Sequence, residues 1–244
     1  MNKVIISVLL GLYSTVAIAD PAPTVVELFT SQGCSSCPPA DDNLAELAQR
    51  PDIVALGFHV TYWNNLGWLD PLSATWATAR QYEYAASLGR SNVYTPQMMI
   101  DGTEDVVGSD TESLQRILGR SRQLAAARKL ITLRKIGTRL EISIPLASRP
   151  LSPATIYIAA YDPARLTDVQ AGENDGRKLR DANAVRIFQP IGKWDGSASV
   201  KTIDLSALGI APAMGIAVFV QLGSSADMPG AIVAAGKLDP VPPT

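Results

Sequence analysis

Two cysteines, and only two, lie within four residues of each other at Cys34 and Cys37, and their surroundings constrain the fold more than any other part of the chain. Before them runs Thr24-Val25-Val26-Glu27-Leu28-Phe29, β-branched and apolar, which predicts a buried strand. Ser31-Gln32-Gly33 breaks that run. After them come Pro38 and Pro39, suited to a first helical turn whose N–H groups lack intrahelical acceptors. Leu44, Leu47 and Ala48 then share a helical face, and a second buried strand spans residues 53–58. Strand, helix and strand at this spacing form a βαβ unit, hence a parallel pair with a right-handed crossover. The cysteines therefore sit where a strand hands over to a helix.

A single bridge between them would be a poor staple. On the loop-entropy model, closing about four residues gives roughly 2 kcal/mol, against about 4 to 5 for a loop of a hundred. Stability would be better served by cysteines further apart, so the spacing points to chemistry. A framework of several disulfides is excluded by the count.

Residues 1–19 read as a secretory leader, with Lys3, a short apolar run from Val4 to Leu12, and Ala17-Ile18-Ala19 as a cleavage site. This predicts a periplasmic or secreted location, where disulfides persist. The formal net charge is −2, with no basic block and no further run of membrane-spanning length. Neither nucleic acid nor, after leader removal, a membrane is an expected partner.

Residues 60–94 hold seven of the eleven Trp and Tyr residues: Tyr62, Trp63, Trp68, Trp76, Tyr82, Tyr84 and Tyr94. A helix over 73–88, capped by Ser73 and closed by Gly89, would either pack these rings into the core or set some of them beside the cysteines. Short strands at 97–100 and 104–107 join through Asp101-Gly102, a hairpin signal, and Ser109 or Asp110 caps a further helix. Beyond about residue 128 the periodicity becomes alternating, with candidate strands at 129–136, 139–146, 154–161, 185–190, 199–205, 214–221 and 230–238. The expected fold class is thus a thioredoxin-like α/β domain over 20–127, with an aromatic helical insertion at 60–94, followed by an all-β, sandwich-like domain over 128–244.

At a helix N-terminus the partial positive charge and free N–H donors favour a thiolate, so Cys34 is the expected nucleophile and Cys37 the resolving partner. Cys34 should be the more exposed of the two. Asp41 and Asp42, in the next turn, oppose a thiolate. Thr95-Pro96 precedes a strand, an arrangement similar to the cis-proline that faces the cysteines in thioredoxin-like folds, so both residues join the candidate site. Structural zinc would need a third cysteine or a histidine pair, and the chain has one histidine. A copper site from Cys34, Cys37 and His59 stays open, since soft thiolates suit Cu(I). No cofactor is expected.

From Val26-Glu27-Leu28-Phe29-Thr30-Ser31-Gln32-Gly33-Cys34-Ser35-Ser36-Cys37-Pro38-Pro39-Ala40-Asp41 the chain resembles the DUF1223 family of secreted bacterial thioredoxin-like proteins, whose activity is undefined. The likeness continues at His59-Val60, Tyr62-Trp63, Leu66-Gly67-Trp68, Asp70-Pro71, Tyr94-Thr95-Pro96-Gln97-Met98, Gly172-Glu173-Asn174-Asp175-Gly176-Arg177 and Asn183 with Val185-Arg186. Thr61 and Asn64 stand where the family pattern is usually acidic, and a histidine often found near Asp181 is absent. The resemblance implies a fold and a site but no substrate.

Three functions compete at this point. One is a thiol–disulfide oxidoreductase acting on a protein or small thiol partner. Another is a copper carrier or chaperone, and the third a redox-inert interaction protein. Tyr62, Trp63, Trp68, Glu173, Asn174 and Arg177 are the candidate substrate-binding residues. The charged loop that holds the last three is expected to fold back over the cysteines.

Overall fold

In the computed structural model, which describes residues 21–148, 154–223 and 228–240, the first apolar run is β1 (Thr24–Thr30), buried at every position. The expected leader lies outside the described residues. Cys37 is the N-cap of α1 (Pro38–Ala48), whose prolines occupy the first turn. β2 (Ile53–His59) pairs with β1 in parallel, from Thr24 opposite Ile53 to Thr30 opposite His59.

Next come α2 (Thr75–Ser87), β3 (Gln97–Ile100), β4 (Glu104–Val107) and α3 (Thr111–Gln123). β3 runs antiparallel on the other side of β1 and turns through Asp101-Gly102 into β4. Asp110 caps α3 by accepting the Ser113 N–H. Ser73 does not cap α2. Its hydroxyl donates to the Asp70 carbonyl, and Ala74 stands at the N-cap without a side-chain bond.

The second half supplies β5 (Lys129–Leu130), β6 (Thr132–Ile136), β7 (Arg139–Ile144), β8 (Ala154–Asp168), β9 (Lys178–Trp194), β10 (Ser199–Asp204), β11 (Gly215–Leu222) and β12 (Ile232–Leu238). β8 and β9 form a long antiparallel hairpin, well beyond the ranges 154–161 and 185–190 that alternation marks.

This hairpin overturns the expected fold class. A thioredoxin-like α/β domain followed by a separate all-β domain does not describe the chain, because one mixed nine-stranded sheet runs β4-β3-β1-β2-β9-β8-β11-β12-β5. With 42% strand against 20% helix, the molecule is mostly β. Only β10-β7-β6 form a second sheet. Periodicity identifies strands but not their neighbours, and the free edge of β2 is satisfied by β9 from the other half of the chain.

The junction is close. Gly57 lies opposite Ala184, and a methyl group on it would stand 3.2 Å from the Ala182 carbonyl oxygen. Asn183, held at φ 47, sends its side-chain amide to the Ala55 carbonyl. Phe29, Phe58, Tyr84, Tyr161 and Phe219 belong to one apolar cluster, so the core also runs through both halves.

Candidate functional site

Cys34 and Cys37 are joined by a disulfide between the end of β1 and the start of α1, with 5.4 Å between their Cα atoms. The Thr95–Pro96 bond is cis. Thr95 donates its hydroxyl to Cys34 Sγ at 3.4 Å, and the Trp63 indole fixes that hydroxyl by donating to Thr95 Oγ1 at 2.8 Å. Ser36 Oγ lies 3.3 Å from the same sulfur. A bridged sulfur carries no hydrogen, so Ser36 is the donor there too. Two hydroxyls thus converge on Cys34.

The expectation that Cys34 is the exposed sulfur is corrected. Both cysteines are 0% exposed, although Ser35 and Ser36 between them face solvent. The tip of the β8–β9 hairpin, residues 169–177, lies against the backbone of the loop that carries Cys34. Asn174, itself buried, donates through Nδ2 to the carbonyls of Gln32 and Cys34, both at 2.9 Å. Glu173 accepts the Ser35 N–H at 3.0 Å, and the Ser35 hydroxyl together with that N–H holds its carboxyl below the usual range. Arg177 does not reach the cysteines. It donates to Asn174 Oδ1 at 2.8 Å, which orients the amide. Gly172, at φ +78, packs so tightly on Trp68 that a methyl group would lie 3.1 Å from the Trp68 Cβ.

Beneath the bridge lies a buried polar cluster. Its hub is Gln32, whose side-chain amide donates to Asp181 at 2.7 Å and to Thr167 at 2.9 Å, while its backbone N–H donates to Asp70. His59 Nδ1 is 2.8 Å from Asp70, and Nε2 is 3.8 Å from Asp181. Burial works against charge on His59, but Asp70, Asp181 and Asp41 outweigh it and push the imidazole up to about 9. Burial also raises Asp41, helped by Asp181, to about 8. Asp181 is raised, mainly by burial; Asp70 is lowered because His59 overcomes its burial. The upward shift of Asp41 weakens its opposition to a Cys34 thiolate, which its position alone would not suggest.

The sequence-derived residues thus divide. Thr95, Trp63, Trp68, Glu173 and Asn174 gather around the cysteines. Tyr62 stands one step back from the cysteines, its hydroxyl donating to Gln81 and hydrogen-bonded to Thr95, with its ring packing on the core. His59 faces carboxylates with both ring nitrogens, and no group of three or more His, Cys, Asp or Glu among the described residues could hold a metal ion. Gln32, Asp70 and Asp181 were missed as site residues. Asp181 did carry a signal, an acid two residues from Leu179 on the inward face of an alternating strand. Gln32 sits in a turn with no periodicity to mark it.

With this geometry established, the family follows: a model described as a protein of unknown function, DUF1223, matches residues 25–221. The chain belongs to the DUF1223 family. A crystal structure of a protein from Agrobacterium tumefaciens is similar to it, at 34% identity and a TM-score of 0.80, over 92% of this chain and 97% of that one. HBP35 of Porphyromonas gingivalis shares the fold at 15% identity and a TM-score of 0.63, over 92% of this chain and 78% of its own. No curated protein matches this DUF1223 chain.

Proposed function

We propose that Cys34 and Cys37 are a thiol–disulfide exchange centre acting, in the periplasm or outside the cell, on a protein or small thiol partner. The observation that carries this reading is the convergence of the Thr95 and Ser36 hydroxyls on Cys34 at the approach to a helix N-terminus. Hydrogen bonds of this kind stabilise a thiolate, the form that attacks disulfides. The raised Asp41 carboxyl weakens one opposing charge, while Glu173 on the Ser35 N–H keeps another.

In the reduced protein the Cys34 thiolate attacks a partner disulfide, and the displaced partner sulfur leaves as a thiolate that takes a proton from water. The Cys37 thiolate then attacks Cys34 Sγ of the mixed disulfide and releases the second partner sulfur. Two electrons and two protons pass to the partner, and the Cys34–Cys37 bond re-forms. The same steps in reverse oxidise a partner dithiol.

The test is equilibration of the native protein with glutathione mixtures of graded ratio. A single two-electron midpoint is expected, and Cys37→Ser should trap a mixed disulfide at Cys34 with a disulfide probe. A bridge that resists every ratio until the protein is unfolded would sink the reading and make the bond structural.

A further inference from the structure

We infer that the β8–β9 hairpin tip, residues 169–177, is a built-in lid, and that exchange at Cys34 proceeds only after the tip lifts. The inference rests on the exchange reading above and adds its regulation. A sulfur must be approached along the S–S axis by the attacking thiolate, and neither cysteine has any exposed surface. Some part of the cover must therefore move.

The tip is built to move as a unit. It closes on itself through Val169 N–H to the Arg177 carbonyl at 2.9 Å, Gly176 N–H to the Val169 carbonyl at 3.0 Å and Arg177 N–H to the Asn174 carbonyl at 3.1 Å. Gly172 and Gly176, both with positive φ, lie within it. The hairpin stem stays anchored, since Gln32 binds Thr167 on β8 and Asp181 on β9. Three hydrogen bonds join the tip to the cysteine loop: one from Ser35 N–H to Glu173 and two from Asn174.

What the tip occupies identifies what it stands in for. Its three bonds use backbone groups, the Ser35 N–H and the carbonyls of Gln32 and Cys34, beside the sulfur to be attacked. Lifting it frees one backbone donor and two backbone acceptors, the kinds of group that pair with the N–H and C=O of another polypeptide, although the Cys34 carbonyl keeps the Cys37 N–H. Glu173 and Asn174 thus act as a self-supplied occupant of the partner's place, and a partner segment flanking a cysteine must displace them.

The test measures access without needing a partner. A water-soluble phosphine reduces a disulfide to two thiols and becomes its oxide, taking oxygen from water. The oxidised full chain should be reduced about tenfold faster in Asn174→Ala, which loses two bonds. Glu173→Ala should accelerate severalfold, whereas Glu173→Gln, which keeps an acceptor for the Ser35 N–H, should stay within about twofold of the parent. Parental rates in both alanine variants would overturn the lid. So would an equal acceleration in Glu173→Gln, because the bond would then not be what holds the tip. Should Asn174→Ala fail to fold, the two Glu173 variants still decide. Failure of the glutathione equilibration would reject the exchange reading while leaving these phosphine rates free to report on the cover.

Discussion

Among the buried polar clusters of the described residues, two handle charge in opposite ways. One, wedged between the halves of the sheet, is balanced: Arg80 binds Glu27 through Nε at 2.6 Å and Nη2 at 3.1 Å. Tyr84 donates to Glu27, and Gln221 accepts from Arg80. Five aromatic rings have centroids within 5.8 Å of the guanidinium, the nearest being Phe188 at 4.5 Å. The other, under the disulfide, sets three carboxylates against one histidine, and none of those carboxylates has a lysine or arginine ion pair among the described residues. The first is settled by pairing and has no reason to change state. The second pairs Asp70 with His59 and raises Asp41 and Asp181, so its charge responds to pH.

The sharpest way to break this comparison is to unbalance the paired cluster. Arg80→Met would leave Glu27 buried without a counterion and should cost about 3 to 5 kcal/mol of stability in urea unfolding. The double variant Arg80→Met, Glu27→Gln should regain much of that. A single-variant cost below about 1 kcal/mol would mean the pair is not what balances this core.

The proton-holding cluster should instead show in pH dependence. His59 is raised from its ordinary range to about 9, so its stabilising contribution is complete below about pH 6.5 and lost as pH rises through 9. Asp41 is raised to about 8, so the folded state keeps a proton that the unfolded chain releases near pH 4, and the stability this lends is lost as pH climbs from about 4 to 8. Both effects have the same sign. Stability should fall between pH 6 and pH 9, and Asp41→Asn should flatten the fall by roughly 1 to 3 kcal/mol at the alkaline end. A parent profile flat across that window would refute the assignment.

The smallest effect concerns the sulfur itself. Ser36→Ala removes one of two donors to Cys34 and should raise the thiol pKa of the reduced protein by about half a unit to one unit. Alkylation rate against pH reads this directly. Trp63→Phe, which frees the Thr95 hydroxyl from its orienting donor, should act in the same direction and less strongly.

Much of the local structure was legible. Continuous apolar runs placed β1 and β2, the Asp101-Gly102 turn placed β3 and β4, and the 3.6 period placed α1 and α3, all near their observed bounds, because each is apolar on a buried face or bounded by a strong breaker. The hairpin at Asp101-Gly102 and the cap at Asp110 were marked by residues with a direct backbone role. Legibility failed at long range. β9 extends to Lys178 because β8 accompanies it, and α2 begins at Thr75 because Ser73 is drawn to the Asp70 carbonyl.

The candidate site divides in the same way. Sequence alone determined that a two-cysteine centre lies between a strand and a helix start, because four adjacent residues and their flanking patterns are a local property. The order of elements and the resemblance to thioredoxin-like folds set Thr95-Pro96 apart, and glycines and charge between strands marked the Gly172–Arg177 segment. Only the tertiary structure decided that Cys34 is buried, that Asn174 binds the backbone beside it, and that the Asp41 carboxyl is raised. Each of these depends on burial by residues more than a hundred positions away, such as Asn174 over Cys34 and Asp181 against Asp41. A chain encodes its nearest neighbours in its order, but which surfaces lose their water is settled when the sheet closes, and that loss of water sets both exposure and charge.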